Sequence, residues 1–247
     1  MQGLLADRVA MVTGAGRGLG RAHALALARA GARVLVNDLD AAAAAEVCGE
    51  ITRLGGDALP DSANVTAPPA VGRMVAAALR RWGQVDILVN NAGILRDRTF
   101  AKLDLTDFRL VMEVHLMGSV ECTRAVWPHM KERGYGRVVL TTSSSGLYGN
   151  FGQTAYSSAK MALVGLMQTL ALEGERYGIR VNCLAPSAAT QMTGELWSPE
   201  ELAALAPERV SPAVVALASE RAPSKCILLA GAGSLITCYT MPLLNEP

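Results

Sequence analysis

Short apolar runs recur along this chain, each followed by a longer stretch with helical patterning, and that alternation narrows the fold more than any other feature. Runs at 8–12, 33–37, 58–59, 86–89, 137–141, 180–184 and 225–229 read as seven strands. Helical patterns fill the intervals at 18–30, 41–54, 68–82, 107–133 and 154–177, with shorter ones at 199–206 and 212–219. Gly31 closes the first helix, Asp40 is placed to cap the second, and Gly55-Gly56 stops it. Repeated β-α-β units with right-handed crossovers predict one parallel, seven-stranded sheet covered by helices on both faces, a doubly wound α/β architecture. No linker divides the chain, so residues 1–247 are expected to form a single domain.

Composition agrees with that architecture. Half the residues are apolar and only 4% are aromatic, which suits Ala, Val and Leu packed between a parallel sheet and its helices. A net charge of +1 speaks against a nucleic-acid or anionic-membrane surface as the main partner. No apolar run approaches the ~20 residues that cross a bilayer, and the first residues lack a secretory pattern, so a cytoplasmic protein without membrane contact is expected. The cysteines Cys48, Cys122, Cys183, Cys226 and Cys238 are scattered, without the close pairs of a zinc site. Buried thiols in a reducing compartment, and no metal, are the expectation.

The segment Thr13-Gly14-Ala15-Gly16-Arg17-Gly18-Leu19-Gly20 joins the first strand to the first helix. Glycines there let backbone N–H groups approach a pyrophosphate, and the helix N-terminus adds partial positive charge. A glycine-rich turn alone is also an ordinary turn, but its place between strand and helix marks a Rossmann-type dinucleotide site. Asp38 closes the second strand, where a carboxylate accepts from the adenosine ribose hydroxyls and repels a 2′-phosphate. That favours NAD over NADP, although Arg17 is a basic residue that would suit the phosphate.

Tyr156 and Lys160 share one face of a predicted helix, a turn apart. An ammonium beside a phenol stabilises the phenolate and is expected to lower its pKa toward a useful range. Ser143 closes the fifth strand at the carboxyl edge, where ligands of such sheets bind. Ser144 and Ser145 are its neighbours, and Ser143 is preferred on spacing.

Together TGAGRGLG, Asn90-Asn91-Ala92-Gly93, Ser143 and the Tyr156–Lys160 pair resemble, in order and spacing, the short-chain dehydrogenase/reductase family. The resemblance implies Tyr156 as general acid/base, Lys160 on the nicotinamide ribose, and Ser143 on the substrate oxygen. It also implies that Asn91, Ala92 and Gly93 line the cofactor and that Asn64-Val65 contacts adenine. Homodimers or homotetramers paired through the long helices follow from the same resemblance.

Two positions depart from the family pattern. His115 stands in the His115-Leu116-Met117-Gly118 slot where many members carry a catalytic-site Asn, and its backbone carbonyl is expected to be able to hold a relay water. Pro186-Ser187 replaces a Pro-Gly that faces the nicotinamide, with Thr190 or Thr193 as the threonine reaching the carboxamide. Within the family, NNAGILRDRTF, VHLMGS and SGLYGNFGQTAYSSAK resemble the dehydrogenase module of the type 2 peroxisomal multifunctional enzymes, which shares the histidine. That module acts on (3R)-hydroxyacyl-CoA thioesters and 17β-hydroxysteroids. The implied reaction is NAD-dependent oxidation of a 3-hydroxyacyl thioester, with a steroid-like alcohol as the second reading. Residues 187–207 are expected to form a substrate lid lined by Met192, Leu196 and Trp197. A protein that binds the dinucleotide without turnover is the competing reading.

Overall fold

The structure is a computed structural model that describes residues 3–187, 206–231 and 234–238. Strands β1 (Val9–Thr13), β2 (Arg33–Asn37), β3 (Ala58–Asp61), β4 (Ile87–Asn90), β5 (Gly136–Thr141), β6 (Ile179–Ser187) and β7 (Ile227–Gly231) run parallel, and β8 (Ser234–Cys238) pairs antiparallel with β7. Their spatial order is β3-β2-β1-β4-β5-β6-β7-β8. The expected seven-stranded parallel sheet is therefore an eight-stranded one with a reversed edge. Only a short link separates β7 from β8, and a link that short returns the chain alongside itself rather than through a crossover.

Helices α1 (Gly18–Arg29) and α2 (Ala41–Arg53) cover one face together with α8 (Ser211–Ala218). The other face carries α3 (Pro68–Trp82), α5 (Gly118–Arg133) and α7 (Thr154–Gly174), with α4 (Leu105–Met112) packed on α7. The short α6 (Ser144–Tyr148) lies between β5 and α7. Strand side chains alternate between two cores. Ala10, Val12, Val34 and Val36 pack under α1 and α2, while Met11, Leu35, Leu88 and Val138 pack under α3 and α5. Asp40 caps α2 as expected, accepting from the Ala42 and Ala43 N–H groups at 3.1 Å.

The helix expected over 107–133 is not continuous. Between α4 and α5 the chain widens into a π turn, Glu113–Met117, centred on His115. Such turns insert one residue into a helix and concentrate at functional sites. Predicted helix 199–206, except its last residue, and most of the expected lid, with Thr190, Met192, Thr193, Leu196 and Trp197, lie outside the described residues. Cys48, Cys122 and Cys183 are buried free thiols, and Cys226 is buried as well. Among the described residues no helix is long and apolar enough to cross a membrane, and no group of three His, Cys, Asp or Glu is placed to hold a metal.

Candidate active site

Strand order reverses between β1 and β4, and open sheets of this kind bind ligands in the crevice beyond that switch point. A cleft of about 340 Å³ opens there. Leu39, Asn64 and Val65 line it beyond β2, and His115, Tyr156, Lys160 and Pro186 line it toward β5 and β6.

The glycine turn forms its floor. Gly14, Arg17, Gly18, Leu19 and Gly20 all face the cleft. Gly14 has φ +61, and a Cβ there would lie 2.8 Å from the Ala92 Cα. A Cβ on Gly20 would lie 2.1 Å from the Gly14 carbonyl, so the turn closes only around hydrogen. Arg17 precedes α1 without a side-chain cap, leaving the first-turn N–H groups to a ligand. Gly16 contributes differently from the expectation: its N–H donates to Asp38 Oδ2 at 2.9 Å. The other Asp38 oxygen accepts from the Asp40 N–H at 3.0 Å, so the carboxylate is held beside the turn. The Arg17 guanidinium reaches away to Asp40, Nη2 to Oδ2 at 2.9 Å, with both side chains substantially exposed.

The 90–93 segment braces the turn from the other side. Asn91 Nδ2 donates to the Thr13 and Gly14 carbonyls, both at 3.0 Å. Thr13 Oγ1 accepts from the Asn91 and Ala92 N–H groups at 3.1 Å. Asn91, Ala92 and Gly93 also line the cleft. Asn64 spends its Oδ1 on a local turn, accepting from Thr66 N and Oγ1 at 3.0 Å.

Ser143, Tyr156 and Lys160 come together at the opposite wall. The Ser143 hydroxyl hydrogen-bonds the Tyr156 phenol, while its oxygen accepts from the Ser145 N–H at 3.2 Å. Lys160 is buried. Its Nζ donates to the Thr141 carbonyl and sits 5.5 Å from the centroid of the Tyr156 ring. Thr142 holds the next link, its hydroxyl donating to the Lys160 carbonyl at 2.6 Å. Burial lowers the Lys160 pKa to about 7, against a smaller upward pull from the Cys183 thiol. The sequence expectation for Tyr156 is reversed: burial pushes the phenol above its ordinary value, and this outweighs the Ser143 hydrogen bond that pulls it down. Desolvating a phenolate costs more here than the neighbouring groups return.

His115 is 2% exposed, and its ring meets the Tyr156 ring edge-on at 5.3 Å and 88°. Its backbone carbonyl accepts from the Ser119 hydroxyl at 2.6 Å, so the atom expected to be able to hold a relay water already has a protein partner. Thr141 and Thr142 escaped the sequence reading, and Thr13 entered it only as the first residue of the glycine turn. Their only signal is position, each at or just past a strand's carboxyl end.

The uncapped helix start, the Cβ-free turn, the Asp38 carboxylate and the Lys160 amine are the donor and acceptor set that a nicotinamide dinucleotide requires. Fold and cleft together define a dinucleotide-binding oxidoreductase of the doubly wound class. Residues 8–201 match the short chain dehydrogenase family profile. The chain belongs to that family, and as such is a nicotinamide-dependent oxidoreductase acting on CH–OH groups. It is 47% identical over 239 residues to a short-chain type dehydrogenase/reductase of Mycobacterium tuberculosis, covering 93% of this chain and 84% of that one. It is 48% identical over 223 residues to mouse peroxisomal multifunctional enzyme type 2, covering 86% of this chain but only 30% of the mouse protein. A solved 7α-hydroxysteroid dehydrogenase, complexed with NADH and 7-oxo glycochenodeoxycholic acid, superposes with a TM-score of 0.87 at 32% identity, covering 94% of this chain and 96% of that one.

Proposed function

We propose that this protein is an NAD-dependent 3-hydroxyacyl-CoA dehydrogenase. The observation that carries the reading is that Tyr156, hydrogen-bonded to Ser143, and Lys160 face one cleft with the Asp38-flanked glycine turn. Bound nicotinamide supplies the hydride acceptor. Tyr156 takes the proton of the substrate hydroxyl as the carbon is oxidised, and Ser143 donates a hydrogen bond to the same oxygen. Lys160 holds the nicotinamide ribose and, when protonated, stabilises the phenolate. Pro186 lines the nicotinamide end of the cleft, with Thr190 or Thr193 as the threonine for the carboxamide. NAD rather than NADP follows from Asp38 at the ribose and from Arg17 being engaged by Asp40.

The thioester assignment draws on the likeness to the mouse multifunctional enzyme. A steroid alcohol is the second reading, favoured by the likeness to 7α-hydroxysteroid dehydrogenase. Leu110 on α4, Met117 in the π turn, and Met161 and Leu172 on α7 are exposed and support pairing of copies through these elements. The test is formation of NADH or NADPH from both enantiomers of 3-hydroxybutyryl-CoA and from estradiol, with NAD and NADP in parallel. Turnover of the thioester with NAD is expected. Faster turnover of estradiol transfers the assignment to steroids, and dinucleotide binding without turnover of any alcohol overturns the enzymatic reading.

A further inference from the structure

Among the described residues of the cleft wall, His115 is a titratable group that the proposed chemistry leaves without a task. Its ring is enclosed on every side that the structure describes. A Cβ on Gly93 would lie 2.3 Å from the imidazole Cε1, so the glycine lets the ring lie flush against the 90–93 segment. Across from it stands the Tyr156 ring. The π turn brings His115 to this place, and the Ser119 hydroxyl pins its carbonyl.

The polar atoms of the ring are used unequally. Nε2 lies 3.0 Å from the Ile94 N–H and 2.8 Å from the Ile94 carbonyl. One nitrogen cannot accept and donate at once, so the two contacts serve the two tautomers: acceptor from Ile94 N–H, or donor to Ile94 C=O. Either way the ring is tied to one backbone residue of the cleft wall. Nδ1 is buried with no hydrogen-bond partner among the described residues. A buried orphan of this kind is destabilising, and such costs persist where geometry serves function.

We propose that His115 is the positioning residue of Tyr156, a wedge that fixes the phenol against the Ile94 backbone so that its oxygen meets Ser143 and the substrate. The inference rests on the reading of Tyr156 as acid/base. Burial, reinforced by the nearby Lys160 ammonium, drops the imidazole pKa to about 3, while the Ile94 hydrogen bond pulls weakly upward. An uncharged ring at working pH cannot shuttle protons through an imidazolium, so its contribution is to orientation. Lys160 from α7 and the Tyr156 phenol are the titratable groups packed beside it.

The experiment compares His115→Leu and His115→Phe with wild type. It measures kcat, KM, the pH profile of kcat/KM, and NADH affinity by fluorescence. With His115→Leu, kcat is expected to fall at least about tenfold with NADH affinity within about twofold, and the Tyr156 limb of the profile to move. His115→Phe restores a ring of similar shape, so the limb returns toward wild type although the Ile94 bond is lost. It also carries the test should the leucine protein not fold. Unchanged kcat and an unchanged limb in a folded variant overturn the proposal, as does a loss confined to NADH affinity. Retained activity in Tyr156→Phe would instead remove the underlying reading, so the two failures are distinguishable.

Discussion

The Lys160 ammonium donates to the Thr141 carbonyl at the end of β5, in a position buried enough to hold its pKa near 7. A lysine free in the unfolded chain titrates near 10.4. As pH falls from above 10 toward 7, the unfolded state takes up a proton that the folded state refuses, so stability falls over that window. Lys160→Met is expected to raise Tm of the dinucleotide-free protein at pH 8.5 by on the order of 2–4 °C while abolishing turnover. A scanning-calorimetry pair at pH 8.5 and 11 checks it, because the gain should vanish at the higher pH.

Tyr156→Phe should reduce turnover by at least about a hundredfold while leaving NADH affinity nearly unchanged. Because burial raises the phenol pKa, alcohol oxidation by the wild type should quicken with rising pH above neutrality, and ketone reduction should slow. Opposite pH trends for the two directions, measured in one buffer series, check the assignment.

Asp38 is expected to carry cofactor choice. Asp38→Ser removes the carboxylate proposed to face the ribose and frees the Gly16 N–H from which it now accepts. The kcat/KM for NAD should fall by about tenfold or more, and NADP should gain relative to NAD by about a hundredfold. Steady-state kinetics with both dinucleotides decides it.

His23 and His115 should dominate the acid side of the stability curve. Burial holds both imidazoles at about 3, whereas an unfolded histidine protonates near 6.5. The unfolded state therefore binds more protons below pH 6.5, and stability drops as pH falls, by up to about 2.7 kcal/mol per pH unit for the two groups together. Urea unfolding between pH 7 and 5 measures the slope. In His23→Gln, which keeps a polar group facing the Ser211 hydroxyl, it should lessen by about half.

Tyr135 offers a test of burial without function. Its ring has the Arg8 and Arg137 guanidiniums at 3.6 and 4.1 Å from its centroid, yet its buried hydroxyl has no partner among the described residues. Tyr135→Phe keeps the stacking and removes the orphan, so Tm should hold or rise. Tyr135→Leu removes the ring from two cations and should lower it. Thermal melts of the two variants are a direct comparison.

Much of this molecule was legible in its residues. The strands 33–37 and helix 68–82 fall where periodicity and punctuation put them, because their apolar faces are set by local spacing. Ser143, Tyr156 and Lys160 were identifiable as a set by order along the chain, and the fold brings them together. What escaped the reading is what depends on tertiary surroundings. The upward shift of Tyr156 comes from burial, which no pattern reports. The hold on Lys160 comes from a backbone carbonyl and a threonine hydroxyl, groups that almost every sequence contains. The reversed β8 was missed because its run is short and lies beyond the last βα unit.

The π turn has a consequence for chain length. One residue fewer within Glu113–Met117 would let α4 and α5 merge into an ordinary helix. The flanking helices would keep their register, and the change would fall on the residues of the turn itself. His115, at the centre of the turn, would then shift against the Tyr156 phenol. This stretch should therefore tolerate substitution far better than deletion.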